Sequence, residues 1–168
     1  GGYIWVYSES GQGTVFKTYL PWTRPPADAD QASSSTADAV GSETVLLVED
    51  EDAVRTLARE VLRRHRYVVL EASHGIEALR IAEGYPDDIH LLLTDVVMPH
   101  MGGRELADRL AVARPSMKRL FMSGYSDHAA VLDQWTRGFA FLQKPFTPEV
   151  LVRQVRSILD TDHVDRLR

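Results

Sequence analysis

Hydrophobic and polar positions divide the chain into three stretches. Over residues 1–21 they alternate: Ile4 and Val6, then Thr14, Phe16, Thr18 and Leu20, on either side of a polar SESGQG. A period of two interrupted by a Ser/Gly cluster predicts a β-hairpin with that cluster as its turn. Residues 22–42 are rich in Pro, Ala, Ser and Asp and hold almost nothing to bury, which predicts a flexible linker. From Glu43 to residue 160 the pattern is regular, and residues 161–168 form a polar tail.

The regular stretch alternates strand and helix. TVLLV (44–48) is a short β-branched run without a charge, as expected of a strand buried on both faces. Val54, Leu57, Ala58, Val61 and Leu62 then fall on one face of a helix. YVVLE (67–71) predicts a second strand. Ile76, Leu79 and Ala82 begin a second helix that stops near Gly84 and Pro86. IHLLLT (89–94) is the third strand, followed by a helix over 103–113 bounded by Gly102–Gly103 and Pro115. KRLFMS (118–123) is the fourth strand, and a helix over roughly 127–137 ends at Gly138. FAFLQ (139–143) is the fifth strand. Thr147 and Pro148 open the last helix as N-cap and first-turn proline, with Leu151, Val155 and Ile158 on its inner face.

Five βα units with buried strands imply an α/β fold, a parallel sheet with helices on both faces. Right-handed crossovers make it doubly wound, and its ligand site lies beyond the carboxyl ends of the strands. There the first strand runs into Glu49, Asp50 and Glu51, the third ends at Asp95, the fourth at Ser123 and the fifth at Lys144. Clustered carboxylates repel one another, and a hard cation bound through oxygens relieves the repulsion. Glu49, Asp50 and Asp95 suit Mg²⁺; a carboxylate can also act as a nucleophile toward phosphorus, which makes Asp95 the candidate acceptor. Ser123 can donate to a phosphoryl oxygen and Lys144 can supply a point charge for it.

Composition narrows the alternatives. A formal net charge of −5 and a pI near 5.7 argue against nucleic-acid binding, and Arg63, Arg64 and Arg66 read as the solvated end of a helix. The absence of cysteine excludes disulfides and thiolate chemistry. No apolar run approaches a membrane span, and the N-terminus lacks signal-peptide features, so a cytoplasmic location and no membrane contact by this segment are expected. Without an initiator Met, the chain is expected to begin inside a longer parent. The six histidines lack metal spacing and are expected to be solvated; Gly11-Gln12-Gly13 reads as a turn, and Trp5, Trp22 and Trp135 as packing residues.

With these residues in order, 43–160 resembles the receiver domain of two-component response regulators. VLLVEDE carries the acidic pair, LLLTDVVMPHMGG the acceptor, FMSGYS the hydroxyl and FLQKPF the lysine. The resemblance implies a flavodoxin-like sheet of order 2-1-3-4-5. It implies Asp95 as phosphorylation site, Glu49 and Asp50 around Mg²⁺, and a metal contact from the backbone carbonyl of Val97. It also implies a cis Lys144–Pro145 bond and Phe141 as an aromatic that turns inward when Ser123 moves toward the phosphoryl group. An ordinary core role for Phe141 stays equally open. The family's two dephosphorylation-tuning positions are Val97 and Tyr125. Neither is a carboxamide or carboxylate that could orient an attacking water, so a rather long-lived phosphoryl-aspartate is expected.

GGYIWVYSESGQGTVFKTYLP (1–21) resembles the closing hairpin of a histidine-kinase ATPase domain, so the chain looks like the C-terminal part of a hybrid sensor histidine kinase. The ATP-binding motifs of that family are missing, and no histidine is followed by the acidic residue usual after a phosphodonor. The chain is therefore expected neither to bind ATP nor to phosphorylate itself from it. At most it takes a phosphoryl group from a donor and slowly releases it. Expected partners are a histidine kinase core or a histidine phosphotransfer protein. A lone hairpin is marginal in water, so this one is expected to be disordered or docked, on the receiver or on a second copy in a homodimer.

Three other functions fit the residues less well. A phosphorylation-independent interaction domain is disfavoured by the intact Asp95, Ser123 and Lys144. An aspartate-nucleophile phosphatase wants an aspartate where Val97 stands. A flavodoxin-like electron carrier would have its FMN phosphate repelled by Glu49-Asp50-Glu51. The expected output is a changed surface built from the helix over 127–137, the strand 139–143 and the last helix, or onward transfer to a phosphotransfer histidine.

Overall fold

The structure, a computed structural model, describes residues 3–9, 13–19, 41–124 and 139–161. The expected helix over 127–137, Tyr125, Trp22, Trp135, His128, His163 and residues 22–40 lie outside the described residues. The chain divides into two compact units. In the first, β1 (Tyr3–Glu9) and β2 (Gly13–Tyr19) pair antiparallel as the alternation predicts, with Ile4 opposite Thr18 and Val6 opposite Phe16. Ile4 and Val6 are 63% and 49% exposed.

The second unit is built on β3 (Thr44–Val48), β4 (Val68–Ala72), β5 (Leu91–Asp95), β6 (Lys118–Ser123) and β7 (Ala140–Gln143). All four pairings are parallel, and the order β4-β3-β5-β6-β7 is the expected one. The described helices are α1 (Asp52–Arg64), α2 (Gly75–Gly84), α3 (Gly103–Ala113) and α4 (Pro148–Asp160). Two buried clusters cover the two faces of the sheet. Val45, Leu47, Leu91, Leu93 and Leu120 meet α1 and α4, while Leu46, Val48, Leu92 and Phe121 meet α2 and α3. Both faces being covered is why the central strands carry no alternation. Each leucine removed from water contributes roughly 2 kcal/mol toward holding the strand ends in place.

The helices are rotated from their expected stripes in two places. Leu57 is 46% exposed, because α1 meets the sheet through Ala58, Val61 and Leu62 and leaves Leu57 at the rim. Ile76 is 42% exposed, because α2 turns Gly75, Ala78 and Ala82 inward. Small residues there let the helix approach closely: a Cβ on Gly75 would stand 2.8 Å from the Met101 sulfur. Three strands start one or two residues later than expected, at Val68, Leu91 and Ala140, with Tyr67 and Ile89 buried just before the first two. Three histidines expected to be solvated have local partners. His74 caps α2 by accepting the Glu77 amide, His90 Nδ1 accepts the Thr44 amide, and His65 Nδ1 lies 2.9 Å from the Val61 carbonyl oxygen.

Packing of this unit starts before Glu43. Gly41 is buried, its N–H donates to the His65 carbonyl at 2.8 Å, and a Cβ there would stand 2.1 Å from the Tyr67 ring.

Candidate functional site

The winding direction of the sheet reverses between β3 and β5, so the loops after these two strands diverge and leave a crevice. The candidate residues meet there. Glu49 is fully buried, Asp95 is 8% exposed and Ser123 is 4% exposed, whereas Asp50 faces solvent. Glu49, Asp50 and Asp95 present carboxylate oxygens that all lie within 4.8 Å of one another.

Lys144 closes the arrangement. β7 pairs with β6, and the Lys144 N–H donates to the Ser123 carbonyl at 2.8 Å, which carries the ladder one residue past the strand. The Lys144–Pro145 bond is cis, as the resemblance implies. From there Lys144 Nζ reaches Asp95 Oδ2 at 2.8 Å and Glu49 Oε2 at 2.6 Å. The second contact is an ion pair without hydrogen-bond geometry, so Glu49 Oε2 is a buried oxygen with no hydrogen-bond partner among the described residues. Asp95 Oδ1 accepts the Val96 amide at 2.7 Å. Three strands are thereby tied together through one ammonium group.

Electrostatics leave the site short of positive charge. Burial pushes the Glu49 carboxyl above its ordinary value; Lys144 opposes this, and the neighbouring Asp95 charge adds to the rise. Burial acts to lower Lys144, but its hydrogen bond to Asp95 and its ion pair with Glu49 outweigh that and hold it above its ordinary value. Three carboxylates face one lysine, and one carboxylate oxygen is buried without a hydrogen bond. An all-oxygen donor set with unbalanced negative charge fits a hard divalent cation.

Gly103, read from the sequence only as a helix boundary, has a second role. A Cβ there would stand 2.1 Å from the Asp95 carbonyl oxygen and 3.0 Å from the Thr94 side chain. Only glycine lets α3 start so close beneath the end of β5. Phe141 is half-buried, its ring tilted 33° to that of the fully buried Phe121 at 5.7 Å. Val97, two residues past Asp95, is 57% exposed at the mouth of the crevice.

The model of the response regulator receiver domain matches residues 45–156. The sensor kinase CckA of Brucella abortus is 39% identical over 95% of this chain, which spans 18% of that protein's length. The receiver protein CpdR of the same organism is 34% identical over 68% of this chain and 95% of its own. A solved receiver domain from the hybrid histidine kinase CckA superposes with a TM-score of 0.59 at 36% identity, covering 69% of this chain and 98% of that one. A crevice at the switch point, with acids from two strands bridged by a lysine from a third, is thus met in a chain that belongs to the response regulator receiver family.

Proposed function

We propose that Asp95 is the phosphoacceptor of this two-component receiver, taking its phosphoryl group from a phosphohistidine of a kinase core or a phosphotransfer protein. The observation that carries the reading is the lysine bridge from Lys144 Nζ to Asp95 Oδ2 and Glu49 Oε2. A carboxylate oxygen of Asp95 attacks phosphorus as the P–N bond to the donor imidazole breaks; the bond pair stays on the freed ring nitrogen, and a donor already protonated on its other ring nitrogen leaves as neutral imidazole. Lys144 moves from pairing carboxylates to neutralising a phosphoryl oxygen, and the Ser123 hydroxyl donates to another.

Glu49, Asp50 and Asp95, with the backbone carbonyl of Val97, are the residues that would hold Mg²⁺, which when bound spreads the charge of the transferring phosphoryl group. Because neither Val97 nor Tyr125 is a carboxamide or carboxylate that could orient an attacking water, the acyl phosphate is long-lived. A lifetime of seconds in the purified protein would count against that. Phe141 is the residue proposed to follow Ser123, carrying the change toward β7 and the partner surface.

The parent is a hybrid sensor histidine kinase. The alignment to CckA covers 95% of this chain and so extends past the receiver into the segment bearing the hairpin. In this reading β1 and β2 are the closing hairpin of its ATPase domain. Among the described residues no helix is long and apolar enough to cross a membrane, in keeping with a cytoplasmic receiver.

Intact mass after incubation with Mg²⁺ and acetyl phosphate tests the reading. A single phosphoryl adduct is expected on the wild type, dependent on Mg²⁺ and absent from Asp95→Asn. No adduct on folded wild-type protein would favour a phosphorylation-independent interaction domain instead.

A further inference from the structure

We infer that Arg55 is a positioning residue that holds the Glu49–Asp50 peptide in the orientation the acidic cluster needs to take a divalent cation, an inference that rests on the cation reading above.

The β3 ladder runs one residue past the strand, with the Glu49 N–H donating to the Ala72 carbonyl at 3.2 Å. Within three residues the chain must turn into α1, which starts at Asp52. The Glu49 carbonyl therefore lies at the end of the ladder, in a residue with 0% exposure. A buried carbonyl needs a donor, and one left without it is costly. Arg55 supplies it: Nη1 donates to Glu49 O at 2.6 Å, while Nη2 pairs with Asp52. The Arg55 backbone N–H donates to Glu51 O at 2.9 Å, the first turn of α1. Arg55 thus grips the acidic turn from both ends, by its guanidinium at Glu49 and its backbone at Glu51, and its side chain is only 17% exposed.

The Glu49 carbonyl and the Asp50 N–H belong to one rigid peptide plane. Rotating that plane swings the Asp50 Cα–Cβ bond, and Asp50 is the exposed member of the cluster, with little packing of its own to hold it. A planar guanidinium fastened at two points resists that rotation in a way a single flexible contact would not. Charge points the other way. A guanidinium on the acidic turn repels an incoming cation, so on electrostatics alone its removal would tighten binding. The two effects have opposite signs, and the sign of the change tells them apart.

Amide chemical shifts of the ¹⁵N-labelled 168-residue chain, titrated with MgCl₂, give the affinity and report the fold in the same spectra. Arg55→Ala is expected to weaken Mg²⁺ binding by about tenfold, the usual effect of losing a group that orients a metal ligand. Asp52→Asn, which removes the exposed partner's charge but keeps an oxygen that can accept from Nη2, should stay within about twofold. Arg55→Lys keeps the charge but not the two-point fork, and its affinity should fall between wild type and Arg55→Ala. A folded Arg55→Ala variant with unchanged or tighter affinity overturns the inference. Should that variant fail to fold, wild-type affinity in Arg55→Lys overturns it equally. Failure of the cation reading itself has a different signature: wild-type shifts that do not saturate, or Asp50→Asn binding Mg²⁺ as well as wild type.

Discussion

The two ends of the five-stranded sheet treat their charged side chains in opposite ways. At the amino end, Arg156 sits between Glu43 and Asp160 at 2.8 and 2.7 Å. Lys118 Nζ donates to the carbonyls of Leu159 and Thr161, and Arg114 to those of Asp87, Ala82 and Tyr85. Cations there are matched to the acceptors that helix ends leave open. At the carboxyl end three carboxylates share one lysine, and a buried Glu49 oxygen has no hydrogen bond. One end uses charge to fasten the fold. The other holds charge in excess, at a cost in stability, and that excess is what a cation and a phosphoryl group would act on.

Removing the central cation at each end should produce the largest contrast. Lys144→Met leaves Glu49 and Asp95 facing each other in a buried site, and should cost roughly 3 kcal/mol in the absence of divalent cation. Much of that loss should return in excess MgCl₂, by binding to the folded state. Arg156→Met leaves an acid pair that solvent reaches, with Asp160 62% exposed, and should cost about 1 kcal/mol with no Mg²⁺ rescue. Urea unfolding with and without MgCl₂ measures both. Equal losses, or rescue at both ends, would erase the distinction.

Removing an acid should reverse the sign between the ends. Asp95→Asn relieves the repulsion and should raise Tm, whereas Glu43→Gln breaks the Arg156 pair and should lower it. A change of about 1 kcal/mol would move Tm by several degrees in a domain of this size. The same opposition appears with pH. Burial raises Glu49 above its ordinary 4.5, so its contribution is present below pH 4.5 and lost as pH rises through the raised value. Burial also acts to raise Glu43, but the Arg156 and Ser42 hydrogen bonds outweigh it and hold the group below 4.5. Its contribution is present above pH 4.5 and lost as pH falls. Wild type minus Glu49→Gln stability should therefore shrink upward from pH 4.5, and wild type minus Glu43→Gln downward from it. Parallel curves would show that the two acids do not differ as described.

The carboxyl end was readable from the chain because strands buried on both faces are continuous apolar runs, and each run stops at the residue that matters: Asp95, Ser123, or the Lys144 that follows Gln143. The inner stripe of α2 was read only in part, through Ala82, since Gly75 and Ala78 carry little hydrophobic signal beside Ile76 and Leu79. His74 as a cap, Gly103 under Asp95 and Arg55 on the Glu49 carbonyl were not readable. Each of these depends on which backbone groups the fold brings close, and residue type and spacing do not encode that. The ion pairs of the amino end were equally hidden: Glu43 and Arg156 are joined by tertiary packing across 113 positions.

The smallest contrast concerns backbone strain, which each end holds once. Among the described residues, two non-glycine residues have left-handed φ: Arg66 at 66°, just after α1 at the amino end, and His100 at 67°, in the loop after Asp95. Arg66 follows the α1 cap, with its N–H on the Arg63 carbonyl at 3.0 Å, the position where glycine is the usual helix terminator. Replacing a side chain there removes a left-handed penalty of about 1 kcal/mol but adds freedom to the unfolded chain, so the gain is a fraction of that. Arg66→Gly should raise the urea midpoint slightly with an unchanged slope. His100→Gly should do the same if its strain is only the geometry of a tight turn. A loss of stability in His100→Gly alone would mean that the imidazole itself holds the loop beside Asp95. The strain at the carboxyl end would then belong with the excess charge there, as part of the site.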